Sequence, residues 1–219
     1  MKKLFKILGI ILVSIFLLLL ITPYFFKDKI FNLIQEEANK TLKGDLVIQD
    51  FGLSFISDFP NLSMNLEGLS YIGSDVFKDE KLFSIGDISL EIDLFSVISG
   101  DQYEIKSIVV SESDINIKVL KDGKANYDIY NSSDSSTENT DYAVESSTTF
   151  KLKIKNYEVK NGTVIYNDAL YATDLKLISL NHLGSITIID DKFFLETISE
   201  VANLDLSYER INYINDSRL

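Results

Sequence analysis

The sequence predicts a mainly β protein in which a transmembrane helix and a short amphipathic helix precede a long antiparallel sheet. Residues 7–26 contain no charged side chain, and twenty residues at about 1.5 Å each span about 30 Å, the hydrocarbon thickness of a bilayer. From residue 45 onward apolar and polar residues alternate, which is the pattern of strands with one apolar face. These two observations define the expected fold class.

The apolar run is predicted to stay in place as a membrane anchor, residues 1–27. A cleaved secretory signal is the alternative interpretation. The run is longer than the apolar region of most signals, and bulky residues stand where a cleavage site needs small ones, so the anchor is favoured. The anchor residues expected to lie in lipid are Ile7, Ile11, Phe16, Leu20 and Phe26.

Charge divides the chain into a basic end and an acidic body. Residues 1–29 carry a net charge of +4 and residues 30–219 carry −16, which together give the total of −12. More lysines precede the apolar run than follow it, so the positive-inside rule places the N-terminus in the cytoplasm and the body across the membrane. The acidic body lacks the clustered cations that bind a phosphate backbone, which argues against nucleic acid as a partner.

A second helix is expected over residues 28–43, where apolar residues recur at spacings of three and four. Asp28 is the predicted N-cap and Gly44 the predicted residue after the C-cap. The polar face of this helix has mixed charge. It therefore leaves two positions open, one packed on the body and one on the bilayer surface.

The strands that follow alternate apolar and polar residues, and Asn161-Gly162 and Asp122-Gly123 are predicted hairpin turns because their residues tolerate positive φ. Adjacent residues of a strand point to opposite faces, so the apolar set shares one face. Its members are Leu62, Met64, Leu66, Ile88, Leu90, Ile92, Leu94, Ile115, Ile117, Val119, Leu152 and Ile154.

The segment 131–149 is rich in Ser, Thr and acidic residues and contains no Lys or Arg. Such a composition cannot bury enough apolar surface to order itself, so we expect a disordered linker there. The linker divides the body into a helix and first β unit, residues 28–130, and a second β unit, residues 150–219.

Chemistry-bearing residues are scarce. The chain has no Cys and one His, and it contains none of the sequence motifs of phosphate-binding loops, serine hydrolases, zinc proteases or dinucleotide-binding folds. We therefore expect a non-enzymatic protein without cofactor or metal. Two readings of the apolar face remain, a closed β-sandwich with a structural, scaffolding or protein-interaction role, and an uncovered face that contacts acyl chains.

Several motifs, taken in order along the chain, resemble the AsmA family. They follow the N-terminal anchor at residues 55–63 (FISDFPNLS), 95–101 (FSVISGD), 103–110 (YEIKSIVV), 121–129 (KDGKANYDI) and 160–168 (KNGTVIYND). The resemblance covers residues 1 to about 130, and again 150–168.

The resemblance implies an inner-membrane protein of a didermal bacterium with its body in the periplasm. It also implies a curved β-sheet that forms a groove or open half-barrel, along which phospholipids move between the inner and outer membranes. Family members support outer-membrane assembly, which implies envelope proteins as partners, and they have no catalytic residues. They usually run to several hundred residues, so this chain is expected to correspond to an N-terminal portion with an incomplete second β unit.

Overall fold

The computed structural model describes residues 2–54, 58–100, 102–131, 151–189 and 192–217. Apart from Asn131, the predicted linker lies outside the described residues. The helices are α1 (Lys2–Thr41) and α2 (Leu94–Ser99), with a 3₁₀ turn at Asp75–Phe77. The strands are β1 (Asp45–Val47), β2 (Asp50–Ser54), β3 (Asn61–Ile72), β4 (Lys81–Asp93), β5 (Tyr103–Val119), β6 (Lys151–Asp168), β7 (Thr173–Ile189), β8 (Lys192–Glu200), β9 (Asn203–Tyr208) and β10 (Ile211–Ser217).

α1 is one continuous helix, whereas the sequence predicted two helices separated near Asp28. The predicted N-cap does not interrupt the helix, because Lys27, Asp28 and Lys29 are all tolerated inside one. Among the described residues, no helix combines the length and the apolarity required to cross a membrane.

The end of α1 also differs from the prediction. The helix ends at Thr41, and Gly44 stands just before β1, where its N–H donates to the Tyr71 hydroxyl at 2.9 Å. A Cβ at this position would lie 2.2 Å from the Ile72 carbonyl oxygen. Glycine is therefore needed for close approach to β3, and the predicted helix-capping role of Gly44 is wrong.

The ten strands form a single open sheet in the order β1-β3-β4-β5-β6-β7-β9-β10, with β2 beside β3 and β8 beside β7. The mainly β prediction is confirmed, but the sheet is mixed, because β5 and β6 run parallel. β6 begins at the end of the sheet opposite to the one where β5 finishes, which requires a long connection. The closed two-sheet sandwich is not formed by the described strands.

One transverse line of irregular positions crosses the sheet, which we call the irregular row. It comprises Gly68, Gly86, Glu112, Asn161 and Ser179, and at this level the pairing of each successive strand pair is interrupted or shifted. Four of the five have φ between 50° and 61°. The same line separates β8 from β9, which together follow β7 as one interrupted strand.

The irregular row explains why the predicted hairpin at Asn161-Gly162 is wrong. β6 continues through both residues, and the positive φ of Asn161 occurs inside the strand rather than in a turn. The Asn161 side-chain amide donates to Glu112 Oε2 at 2.9 Å, which joins two members of the row. Asp122-Gly123, by contrast, forms the predicted turn, closed by pairing of Val119 with Ala125.

Two halves of the sheet meet at the irregular row. We call the part of the sheet between the irregular row and α2 the lower half. The part between the row and the end that carries the 3₁₀ turn and the Asp122-Gly123 turn is the upper half. Within one strand, the residue numbers of the apolar positions on the two sides of the row differ by an odd number, as for Val110 and Ile115 in β5. An irregular residue between them shifts the alternation, which keeps both apolar sets on one face.

Candidate functional site

The candidate site is the apolar face of the lower half, built from residues that pair row by row across six or seven strands. One row begins at Phe51 under α1, and successive rows approach α2. The rows are Phe51–Leu66–Ile88–Val110–Val159–His182–Ser199, then Leu53–Met64–Leu90–Ile108–Tyr157–Gly184–Thr197, and then Leu62–Ile92–Ile105–Ile154–Ile186–Leu195. Leu152–Ile188–Phe193 extends the face further.

Cover over this face is uneven. Phe51 is 1 % exposed because α1 packs against it, with the Phe31 and Phe51 ring centroids 6.2 Å apart. Leu62, Leu90 and Ile154, in contrast, are only half-buried. Among the described residues, α1 is the element that covers the sheet, and it contacts β1 and β2. The remaining apolar rows have no second layer in the described part of the chain.

The structure brings eight of the predicted face residues together in the lower half, namely Leu62, Met64, Leu66, Ile88, Leu90, Ile92, Leu152 and Ile154. Ile115 and Ile117 lie in the upper half and are half-buried, and Val119 is 5 % exposed beside the Asp122-Gly123 turn. Leu94 differs, because it begins α2 instead of continuing β4. The Asp93 carboxylate accepts from the Ser96 N–H at 2.9 Å, which starts a helix at that point.

The predicted anchor residues belong to α1. Ile7 and Ile11 are about half exposed or more, at 56 % and 49 %. The side chains of Phe16, Leu20 and Phe26 lie outside the part of the structure that is described.

Several residues of the apolar face were missed by the sequence analysis. In β5 the alternation is broken at Lys106, because two residues there oppose one of β4, and the break hides Ile105 and Ile108. In β7 the alternation around Ile186 and Ile188 is intact, so these two residues could have been identified from the sequence.

The opposite face of the lower half carries an ion cluster, and Leu183, Phe194 and Ile198 are exposed on this face at its β7–β8 end. Lys106 Nζ lies 2.7 Å from Asp93 Oδ2 and 2.6 Å from Glu104 Oε1, and Lys155 Nζ lies 2.7 Å from the same Glu104 oxygen. Hydrogen bonding from Lys106 is the main cause that lowers the pKa of Asp93 and of Glu104. The pKa of Lys106 is raised in turn, first by Asp93 and then by Glu104. Around this cluster the two faces therefore differ in chemistry.

A polar group interrupts the apolar face next to the β8 edge. The Tyr157 hydroxyl lies 2.9 Å from His182 Nε2, and His182 Nδ1 lies 2.6 Å from Ser199 Oγ. The register places all three on the same face as Val159 and Leu66. We call Tyr157, His182 and Ser199 the polar trio.

A cavity of about 700 Å³ lies at the end of the upper half, between Tyr71, the 3₁₀ turn and residues 122–128. Four of its five charged groups are paired with one another. Lys43 pairs with Asp128 at 3.0 Å and Lys124 with Asp122 at 3.2 Å. This arrangement favours a structural role for the cavity over ligand binding, because most of its charges are already neutralised locally.

No group of three or more potential metal-ligating side chains occurs among the described residues. Fold and face together define a class of protein, an open single-sheet β protein with one extended apolar face beside an N-terminal helix. The AsmA family model matches residues 1–192, and the chain belongs to the AsmA family. No curated protein and no solved structure matches the chain at a significant level.

Proposed function

We propose that this protein binds phospholipid acyl chains on the apolar face and moves phospholipid between the inner and outer membranes, supporting outer-membrane assembly without catalysing a reaction. The observation that carries the proposal is the half-buried state of an extended apolar face. A core face would be covered by a second layer, whereas the described part of the chain covers the face only at the α1 edge.

The dimensions of the face suit an acyl chain. Seven strands, β2 to β8, contribute to the lower half, and six spacings of about 4.8 Å give about 29 Å across the strands. One leaflet of a bilayer holds its acyl chains within about 15 Å. Exposing a methylene group to water costs about 0.8 kcal/mol, so ten methylenes in water cost about 8 kcal/mol. When the acyl chain contacts the apolar face instead of water, most of this free-energy cost is removed.

The proposal includes the inner membrane as the site of anchorage, with the N-terminus in the cytoplasm and the sheet in the periplasm. The uncharged run at residues 7–26 and the lysines before it support this placement. Alkaline extraction of membranes tests the anchorage, and protease treatment of spheroplasts tests on which side of the membrane the sheet lies. Release of the protein by alkali, or protection of the sheet from protease, contradicts the placement.

Site-specific photo-crosslinking in cells tests lipid binding directly. A crosslinker at Leu90 is expected to capture phospholipid, and one at the adjacent Glu91 is not, because the two side chains point to opposite faces. The pair Ile117 and Lys118 repeats the comparison in the upper half. Absence of lipid adducts at every apolar-face position, with normal amounts of protein, would overturn the proposal.

A second candidate is binding of a β-strand from another envelope protein along β8. All nine β8 residues are exposed, and Phe193, Phe194 and Ile198 expose 58–71 % of their surface. β8 pairs with β7 on one side, and an edge strand offers backbone hydrogen bonds to a further strand. Protein adducts, rather than lipid adducts, from a crosslinker at Phe194 would support this role.

A further inference from the structure

The polar trio is unlike its surroundings, because it places three hydrogen-bonding side chains in the lining of an apolar face. Its neighbours on β3 and β5 in the same rows, among them Val110, Ile108 and Met64, cannot donate a hydrogen bond, and Thr197 on β8 is the one other hydroxyl in these rows. Gly184 lies under the Tyr157 ring, and a Cβ there would lie 2.8 Å from the Tyr157 hydroxyl oxygen. The absence of a side chain at residue 184 therefore gives Tyr157 the room to reach His182.

Proton counting shows that the trio retains a donor. With a neutral imidazole, the three groups hold three polar hydrogens, two on hydroxyls and one on the ring. Two hydrogen bonds join the groups, and they use two of these hydrogens. In one tautomer Tyr157 donates to Nε2 and Nδ1–H donates to Ser199, which leaves the Ser199 hydroxyl hydrogen free. In the other tautomer Ser199 donates to Nδ1, and the Tyr157 hydroxyl hydrogen is free.

The trio also occupies a particular place along the face. Phe51 and α1 cover the face at the β2 edge, whereas Ser199 lies on β8 at the opposite edge and is exposed. Apolar residues surround the trio toward β6 and toward α2, among them Val159 and Leu195. A molecule with an acyl chain along the rows and a polar group beside β8 would satisfy both parts of the surface.

We infer that the polar trio is a subsite for the phosphoryl oxygens of a phospholipid whose acyl chains lie on the apolar face. This inference rests on the proposed function and adds to it a preference for lipids that carry a phosphoryl group. The free hydroxyl hydrogen donates to a phosphoryl oxygen, which is a strong acceptor. A diacylglycerol with the same acyl chains lacks that acceptor and gains only the apolar contact.

The test compares two lipids on the full-length protein. Vesicles of phosphatidylcholine containing equal amounts of dioleoylphosphatidylglycerol and dioleoylglycerol are incubated with the protein, and bound lipid is quantified by mass spectrometry. The wild-type protein is expected to retain dioleoylphosphatidylglycerol in preference. The triple variant Tyr157→Phe/His182→Leu/Ser199→Ala removes every donor of the polar trio and is expected to reduce that preference about 3- to 10-fold, the range for loss of one hydrogen bond.

Thr197→Val is the matched control, because Thr197 lies on the same strand and face but outside the trio. It should leave the preference unchanged. Each single hydroxyl deletion is also measured, since Ser199 is exposed and its loss removes little packing. Equal preference in the wild-type protein and the triple variant would overturn the inference, whatever the total amount of lipid bound.

A second measurement uses the fact that His182 is the only histidine in the chain. Its imidazole ¹⁵N signals should shift when dioleoylphosphatidylglycerol is added and stay constant with dioleoylglycerol. Retention of both lipids without a shift overturns the subsite and leaves the proposed function intact. If the protein retains neither lipid, the proposed function fails, and inorganic phosphate decides the subsite. A shift with phosphate shows a free-phosphate site, and no shift rules out the subsite.

Discussion

The two edges of the lower half have the same strand pattern but opposite surroundings. At the β2 edge Phe51 is 1 % exposed beneath α1, and at the β8 edge Phe193 is 71 % exposed. Both side chains belong to the apolar face, and both strands alternate in register with their neighbours. The difference shows that alternation selects a face, and that a separate covering element decides whether this face becomes a core.

The largest expected effect comes from removing the aromatic ring on the covered edge. Phe51→Ala should lower the free energy of unfolding by about 3–5 kcal/mol, because it leaves a cavity against α1. Phe193→Ala is the matched change on the open edge and should stay within about 0.5 kcal/mol of the wild type. Urea unfolding followed by circular dichroism measures both. Similar losses for the two variants would mean that the β8 edge is also covered in solution.

An intermediate effect is expected in the open middle of the face. Ile92→Glu should cost about 1–2 kcal/mol, because a carboxylate on a half-buried position retains part of its water. The protein should therefore accumulate in cells while capturing less phospholipid through a crosslinker at Leu90. Glu91→Gln, on the polar face, should change neither quantity. Failure of the Ile92→Glu protein to accumulate would indicate a closed core.

The smallest effect concerns the ion cluster on the polar face. Lys106 lowers the pKa of Asp93 and of Glu104, so these carboxylates stabilise the fold above their ordinary pKa near 4 and lose this contribution as pH falls through the lowered values. The urea midpoint should consequently fall between about pH 5 and pH 2, and Lys106→Met should flatten that fall.

Lys176→Met, at an exposed position on β7, serves as the control for the pH experiment. It should lower the urea midpoint in parallel with the wild type across the same pH range. An unchanged slope in Lys106→Met would mean that Lys155 holds the pKa of Glu104, and the Ser96 N–H the pKa of Asp93, below their ordinary values without Lys106. The side chains of this cluster are only partly buried, and ion pairs near the surface contribute little to stability, so the change is expected to be smaller than that of Ile92→Glu.

Much of the candidate site could be predicted from local patterns. Period-two alternation identified Leu62, Leu90 and Ile154, and the register confirms that they share one row set. The pattern failed where the backbone is irregular. The bulge at Lys106 hid Ile105, and Asn161-Gly162 has the composition of a hairpin although it forms part of the irregular row. A positive φ at Asn161 is compatible with a hairpin turn and with an irregular position inside a strand. Only the pairing with the neighbouring strands decides between the two.

By itself, the sequence determined which residues are apolar on each strand, that strands dominate after residue 45, and that helical segments precede them. These properties depend on side-chain period and backbone propensity, which are local. The tertiary structure alone decided that β5 and β6 run parallel, that Tyr157, His182 and Ser199 meet, and that α1 covers Phe51 but leaves Phe193 exposed. Such contacts join residues far apart in the chain, so no local pattern encodes them.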